Sequence, residues 1–192
     1  SRYRWWRVRR MSTETAIERK TIKSAQADHE FTNRIIESGA ERIKSCIQCG
    51  TCTASCPSGR RTAYRTRQIM RAALLGLKDE LLSDPSIWLC TTCYTCYERC
   101  PRKIETVNAI IEIRNMAVEA GYILAAHRAA SHKLIEFGHA VAIDDPRWSS
   151  LRSSLGLPDK PPTTHRFEDA LRQVQKIAKL TGFDKLVGYA WK

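Results

Sequence analysis

CIQCGTCTASCP, residues 46–57, returns at residues 90–101 as CTTCYTCYERCP. Both copies follow C-x2-C-x2-C-x3-C-P. Together they use Cys46, Cys49, Cys52, Cys56, Cys90, Cys93, Cys96 and Cys100, which are all eight cysteines of the chain. This is the run that holds cubane [4Fe–4S] clusters. Three thiolates at i, i+3 and i+6 can wrap one face of a cubane within a compact loop. The fourth cysteine sits too far round to close the same cluster, so it reaches the other one, and its proline turns the chain away. The expected ligand sets are therefore crossed: Cys46, Cys49, Cys52 and Cys100 for cluster one, Cys90, Cys93, Cys96 and Cys56 for cluster two.

Two other cysteine chemistries fit the pattern less well. A zinc ribbon needs two C-x2-C pairs for each tetrahedral ion, and the third cysteine in each run has no part in that arrangement. A disulfide framework belongs to short secreted chains, whereas this chain has 192 residues and no secretory leader is expected. Cysteines that serve as thiolates imply a reducing compartment, and the cytoplasm of an anaerobe suits them.

The chain carries 32 Lys and Arg against 20 Asp and Glu, a formal net charge of +12. An oxidised cubane of charge 2+ held by four thiolates leaves two negative charges at each site, so two clusters bring the total to about +8. Part of the basic excess thus compensates the clusters, and the remainder favours an acidic partner surface over a merely solvated basic face. No apolar run approaches the 18 residues that would suggest a membrane span.

Outward from the motifs the pattern is helical throughout. Residues 28–38 (DHEFTNRIIES) form an expected helix with Asp28 as N-cap and Gly39 as C-cap, its Phe31, Ile35 and Ile36 being ordinary core. Between the motifs, RTAYRTRQIMRAALLG (61–76) is expected to be a helix leaning on Ala63, Ile69, Met70, Ala73, Leu74 and Leu77. Five arginines, Arg60, Arg61, Arg65, Arg67 and Arg71, follow Cys56 closely; they offset cluster charge, face a partner, or form a solvated helix face, with Arg65 and Arg71 the candidates for docking. Ser83-Asp84-Pro85 starts a short helical turn that brings Trp88, a cluster-shielding core residue, to the second loop. After Pro101, ETVNAIIEIRNMAVEAG (105–121) shows Val107, Ile110, Ile111, Arg114 and Val118 at helical spacing, and LAAHRAASHKLIEFG (124–138) is the next helix. His127, His132 and His139 are scattered and are taken as surface or core residues. Residues 144–162 have loop signals, and FEDALRQVQKIAKLT (167–181) is an amphipathic helix carrying Phe167, Leu171, Val174, Ile177 and Ala178, either a docking element or packed on its own domain. SRYRWWRVRR (1–10) is either a nucleic-acid or membrane-surface arm or, more plainly, an artefact upstream of a natural start at Met11. The expected organisation is a basic and polar N-terminal segment (1–27), a two-cluster domain (28–140) and a loop-rich C-terminal extension with a docking helix (141–192).

Small two-cluster ferredoxins usually embed these motifs in β-strands. This chain has helices before, between and after them, and it resembles the α-helical ferredoxin class: all-α, with two [4Fe–4S] clusters and here a C-terminal helical extension. Within that class it is similar to the iron–sulfur C subunit of the soluble heterodisulfide reductases of methanogenic archaea over about residues 30–192. The resemblance rests on the two cysteine motifs with their helical spacer, on IETVNAIIEIRNMAVEAG (104–121) and on the tail PPTTHRFEDALRQVQKIAKLTGFDKL (161–186). It implies an electron conduit, non-catalytic by itself, between two partners of the same complex. One is a flavin-containing subunit; the other is a catalytic subunit that reduces the mixed disulfide of coenzyme M and coenzyme B. A hydrogenase or formate dehydrogenase module is implied upstream. The chain agrees on its own terms. All cysteines serve as ligands, so none is left for thiol–disulfide exchange, and there is no Cys-Cys-Gly motif, G-x-G-x-x-G fingerprint or P-loop. The alternatives are an iron–sulfur subunit of another redox complex, of fumarate reductase or glycolate oxidase type, although the plant-type [2Fe–2S] pattern C-x4-C-x2-C of the former is missing, and a basic cysteine-rich nucleic-acid binder.

Overall fold

Helix-forming residues flank both cysteine loops. In the computed structural model, which describes residues 27–140, 145–158 and 161–191, every regular element is helical. The elements are α1 (His29–Glu37), α2 (Thr51–Ala54), α3 (Thr66–Leu74), α4 (Lys78–Ser83), α5 (Thr95–Glu98), α6 (Thr106–Glu119), α7 (Ala125–Phe137), α8 (Pro146–Ser154), α9 (Glu168–Leu180) and α10 (Phe183–Leu186). Three 3₁₀ turns join them, at Glu41–Ser45, Pro85–Leu89 and Thr164–Arg166. The arginine–tryptophan decade and the polar lead-in to residue 26 lie outside the described residues. No described helix is long and apolar enough to cross a membrane.

The larger core is built from α1, α3, α4 and α6. Ile35, Ala73, Ile110 and Ile113 meet there with essentially no exposure, and Phe31, Ile69, Met70 and Leu82 close around them. Burying a side chain of this size contributes roughly 1.5–3 kcal/mol, so this packing, more than helix propensity, holds the short helices in place. Asp28 caps α1 as expected, its Oδ1 accepting from the Phe31 amide at 3.0 Å, while Oδ2 pairs with Lys78 Nζ at 3.3 Å. On the outer side Arg34 of α1 donates to Glu112 and Glu119 of α6, all at 2.8 Å.

A smaller core gathers Ile135 of α7, Ala178 of α9 and Val187, with Ile123, Phe183, Tyr189 and Trp191 against them. Its polar pins are His132 Nε2 to the Val187 carbonyl (2.9 Å), Gln175 Nε2 to the Ile135 carbonyl (3.2 Å) and Trp191 Nε1 to Asp184 Oδ2 (2.6 Å). Thus α7 packs with the later elements α9 and α10, although the sequence groups it with those before.

Two expectations need correction. The helix between the motifs begins at Thr66 and not at Arg61: the Thr62 hydroxyl accepts from the Tyr64 amide at 3.2 Å, and the Arg65 guanidinium bonds the carbonyls of Gly59, Thr62 and Tyr64 at 2.8–2.9 Å, which holds a compact loop instead. Within the loop-rich stretch, residues 146–154 are helical. Asp145 accepts from the Arg147 amide at 3.0 Å and Pro146 takes the first helical position, so the Asp-Pro pair starts a helix here.

Candidate metal centres

The two cysteine loops share one backbone shape. Gln48 (φ 56°) and Thr92 (φ 51°) are left-handed between the first and second cysteines, and Gly50 (φ 85°) and Tyr94 (φ 59°) are left-handed between the second and third. Residues in this conformation curl the chain into a concave nest that favours negative charge. Each loop then runs into a single helical turn, α2 or α5, carrying the third cysteine, and α2 packs on α5 so that the motifs lie side by side.

Sulfur contacts repeat as well. Thr51 Oγ1 lies 3.4 Å from Cys49 Sγ, and Thr95 Oγ1 lies 3.4 Å from Cys93 Sγ. Against a thiolate only the hydroxyl can donate, and these threonines hold both thiols below the usual cysteine range. Burial acts the other way deeper in, raising Cys52 and pushing Cys96 up to about 11. At the first cysteine of each loop the donor differs: Gln48 Nε2 reaches Cys46 Sγ at 3.3 Å, whereas the Thr92 backbone amide reaches Cys90 Sγ at 3.4 Å.

Cys46, Cys49 and Cys52 line one pocket together with Cys100, walled by Met70 of α3, Ile104 and Thr106, with Arg67 and Arg102 also on its lining. The fourth cysteine of the second run thus faces the first three of the other. Cys56 is buried and is tied toward the second run. The Ser58 hydroxyl donates to the Leu89 carbonyl at 2.7 Å, and the buried Tyr64 hydroxyl lies within electrostatic reach of both Cys90 and Cys56. Burial first, and then the two thiols, push that hydroxyl upward, so it remains protonated. The Gly59 amide donates to Cys56 Sγ at 3.3 Å. A Cβ on Gly59 would stand 2.8 Å from the Tyr64 carbonyl oxygen and 3.4 Å from Cys56 Cβ, so the chain passes too close for a larger residue.

These residues fit two cubanes. Cys46, Cys49, Cys52 and Cys100 share one pocket with Met70 and Ile104 on its wall, and sulfurs of both runs have hydrogen-bond partners at 3.3–3.4 Å. Tyr64 Oη and Thr66 Oγ1 are buried with no hydrogen-bond partner among the described residues.

Several residues around the centres were not singled out from sequence. Arg114, on the apolar spacing of α6, donates to the Ile87 carbonyl (3.0 Å) and the Cys90 carbonyl (2.6 Å), and its guanidinium stands 5.6 Å from the Trp88 ring centre. It clamps the segment that enters the second loop. Its one visible signal was a charge in an apolar register. Trp88 itself is half-buried against the larger core and meets His127 of α7 edge-on at 4.9 Å. Gln48, Thr51, Thr95 and Tyr64 gave no signal beyond proximity to cysteines. Arg65, a docking candidate from sequence, is committed to the loop carbonyls of Gly59, Thr62 and Tyr64.

Residues 42–104 match the model of the 4Fe–4S dicluster domain family. The chain is 51% identical over 175 residues to the C subunit of the H(2):CoB-CoM heterodisulfide,ferredoxin reductase of Methanothermobacter thermautotrophicus, covering 91% of this chain and 94% of that one. It is 54% identical over 150 residues to the iron-sulfur C subunit of the CoB–CoM heterodisulfide reductase of Methanopyrus kandleri, covering 78% of each. To the C subunit of the Ferredoxin:CoB-CoM heterodisulfide reductase of Methanosarcina mazei it is 42% identical over 153 residues, covering 80% and 94%.

Proposed function

The chain belongs to the C-subunit family of the CoB–CoM heterodisulfide reductases, iron–sulfur electron-transfer components with two [4Fe–4S] clusters, and from that premise we propose a specific relay. Cys46, Cys49, Cys52 and Cys100 hold cluster one, and Cys90, Cys93, Cys96 and Cys56 hold cluster two. The chain passes electrons from a flavin-containing subunit to a catalytic subunit that reduces the CoM–S–S–CoB disulfide, in the cytoplasm, with a hydrogenase or formate dehydrogenase module upstream. The observation that carries the ligand sets is the pocket shared by Cys46, Cys49, Cys52 and Cys100.

When bound, the clusters supply one-electron chemistry at potentials set by charge, hydrogen bonds to sulfur and solvent access. The polypeptide supplies four thiolates to each, which leaves no iron open to a substrate and no cysteine for thiol–disulfide exchange. It therefore moves electrons and does no bond chemistry. Docking falls to the exposed arginine Arg71 of α3 and to the C-terminal elements, where Trp148, Leu151 and Leu155 of α8 and Ile177 of α9 are exposed. Reversing charge at Arg71 is expected to weaken complex assembly in a salt-dependent way and to leave the iron content intact.

The experiment is reconstitution. Anaerobically prepared chain with about eight iron and eight sulfide is expected to accept electrons from a low-potential donor and to leave the heterodisulfide untouched until the catalytic subunit is added. Reduction of the disulfide by the isolated chain, or full activity of the assembled complex after loss of one motif, would overturn the relay.

A further inference from the structure

The fourth cysteines of the two runs are held in place by different means. After Cys100 and Pro101 the chain passes Arg102 and Lys103 and enters the interior. Ile104 joins the larger core, and Thr106 and Val107 are buried at the start of α6. After Cys56, no residue from Pro57 to Ala63 is buried, and α3 begins only at Thr66. Packing on the core therefore does not fix this stretch, and side-chain hydrogen bonds do. One nitrogen of Arg65, Nη1, donates to the carbonyls of Gly59 (2.8 Å), Thr62 (2.8 Å) and Tyr64 (2.9 Å). The Ser58 carbonyl accepts from the Thr62 hydroxyl at 2.9 Å. Within the loop so held, the Gly59 amide donates to Cys56 Sγ at 3.3 Å. Ser58 also crosses to the other run. Its hydroxyl donates at 2.7 Å to the carbonyl of Leu89, the residue before Cys90. The nearby carbonyls of Ile87 and Cys90 are taken by Arg114, so the entry to the second run is held both from α6 and from the first run.

We propose that Ser58 and Arg65 are positioning residues that hold Cys56 at the second run, so that cluster two keeps its fourth thiolate and none of its iron opens. Arg65 acts by fixing the loop, and Ser58 by fixing its place against the residue before Cys90. Removing a residue that holds a metal ligand from outside the coordination shell costs about 10- to 100-fold in metal affinity or activity. The role rests on the ligand sets proposed above, with Cys56 and Cys90 on one cluster.

The test uses the full chain carrying both clusters, prepared anaerobically and then oxidised with ferricyanide. A cubane whose fourth thiolate is loose gives an electron to the oxidant, releases a ferrous ion and becomes a three-iron cluster with an EPR signal of its own. The reduced-state signal lost in Cys93→Ser identifies the cluster of the second run. Ser58→Ala should convert that cluster about tenfold faster than in the unaltered chain and leave the other at its original rate. Ser58→Thr, which keeps the hydroxyl, should convert both at their original rates. Arg65→Met should follow Ser58→Ala. If Arg65→Met loses both clusters, Ser58→Ala decides alone, because it removes a single oxygen. Unchanged conversion in Ser58→Ala, equal acceleration of both clusters, or equal acceleration in Ser58→Thr and Ser58→Ala would overturn the role of these residues. If Cys56→Ser removed the other signal and not the one lost in Cys93→Ser, the crossed ligand sets would fall instead.

Discussion

The two cysteine runs are one backbone in two environments. Left-handed residues stand at matching places, Gln48 with Thr92 and Gly50 with Tyr94, and each run ends in one helical turn. The surroundings diverge. The first run opens onto a pocket whose lining includes Arg67 and Arg102, and the second is clamped by Arg114 and backed by Tyr64 and Trp88. Cysteine spacing therefore sets the shape of the ligand loop, and the helices beyond it set its electrostatics. Two copies of one motif become unlike sites without any change in ligand type, which is what a relay in series requires.

The strongest way to break the comparison is to remove what both runs share. Ligand bonds and crossed loops couple cluster binding to folding. Chelating the iron anaerobically is expected to unfold residues 40–105 first, while α7, α9 and α10 keep the protection of their own core. Hydrogen exchange measured by mass spectrometry on the treated chain reads this directly. An apo form as protected as the holo protein from residue 40 to residue 105 would contradict it.

Crossing is the next target. Cys56→Ser is expected to damage the cluster of Cys90, Cys93 and Cys96, and Cys100→Ser the cluster of Cys46, Cys49 and Cys52. EPR and iron analysis of both variants should show about four iron lost in each case, from opposite signals. Loss of the sequence-adjacent cluster in either variant would mean that each run binds its own cubane.

Much of this was legible in the sequence, for physical reasons. The cysteine periodicity dictates cluster chemistry directly, and the apolar spacing of α1, α6, α7 and α9 sufficed to place those helices. Short elements escaped. The single turns α2 and α5 are shaped by the left-handed residues before them and have no period to detect, and α4 and α10 are too brief to show one. At α8, Asp145-Pro146 reads equally as a turn or as a helix start, and Trp148, Leu151 and Leu155 make no buried stripe to decide between them. The packing of α7 was less visible: it reads as a helix of its own within residues 28–140, and its spacing does not announce the contact of Ile135 with Ala178 and Val187. At the centres the ligands were visible but their donors were not. Arg114 reaches the Cys90 carbonyl from 24 positions away, a distance that only folding closes.

Arg114 offers a finer separation of the two sites. Its guanidinium satisfies the carbonyls of Ile87 and Cys90 and covers the Trp88 ring. Hydrogen bonds from a charged donor contribute about 1.5–3 kcal/mol, and the partly buried setting keeps them from being fully screened. Arg114→Met preserves much of the stem and removes the donors. Its expected effect is release of cluster two to a chelator about tenfold faster than in the unaltered chain, with cluster one released at its original rate, as followed by the decay of the two EPR signals. Equal acceleration of both would show that Arg114 supports the helix packing as a whole and not the second loop.

The smallest expected effect concerns the one backbone position that the two copies solve differently. Gly50 and Tyr94 are both left-handed, at φ 85° and 59°. For a residue with a Cβ this conformation costs roughly 1–2 kcal/mol, which glycine avoids at the expense of a more mobile unfolded chain. Tyr94 is 46% exposed, so only part of its side-chain burial is lost when it is removed. Tyr94→Gly is therefore expected to stabilise the second loop by about 0.5–1 kcal/mol. Gly50→Ala should destabilise the first loop by about 1–2 kcal/mol, and this through backbone strain alone, because a Cβ there would meet only the Arg67 side chain at an ordinary 3.6 Å. The thermal midpoint of visible-absorption bleaching in the two-cluster chain should rise in the first variant and fall in the second. If both variants fell, the Tyr94 ring would be contributing contacts at the second centre that outweigh its strained backbone, and the two loops would differ in their packing as well as in their surroundings.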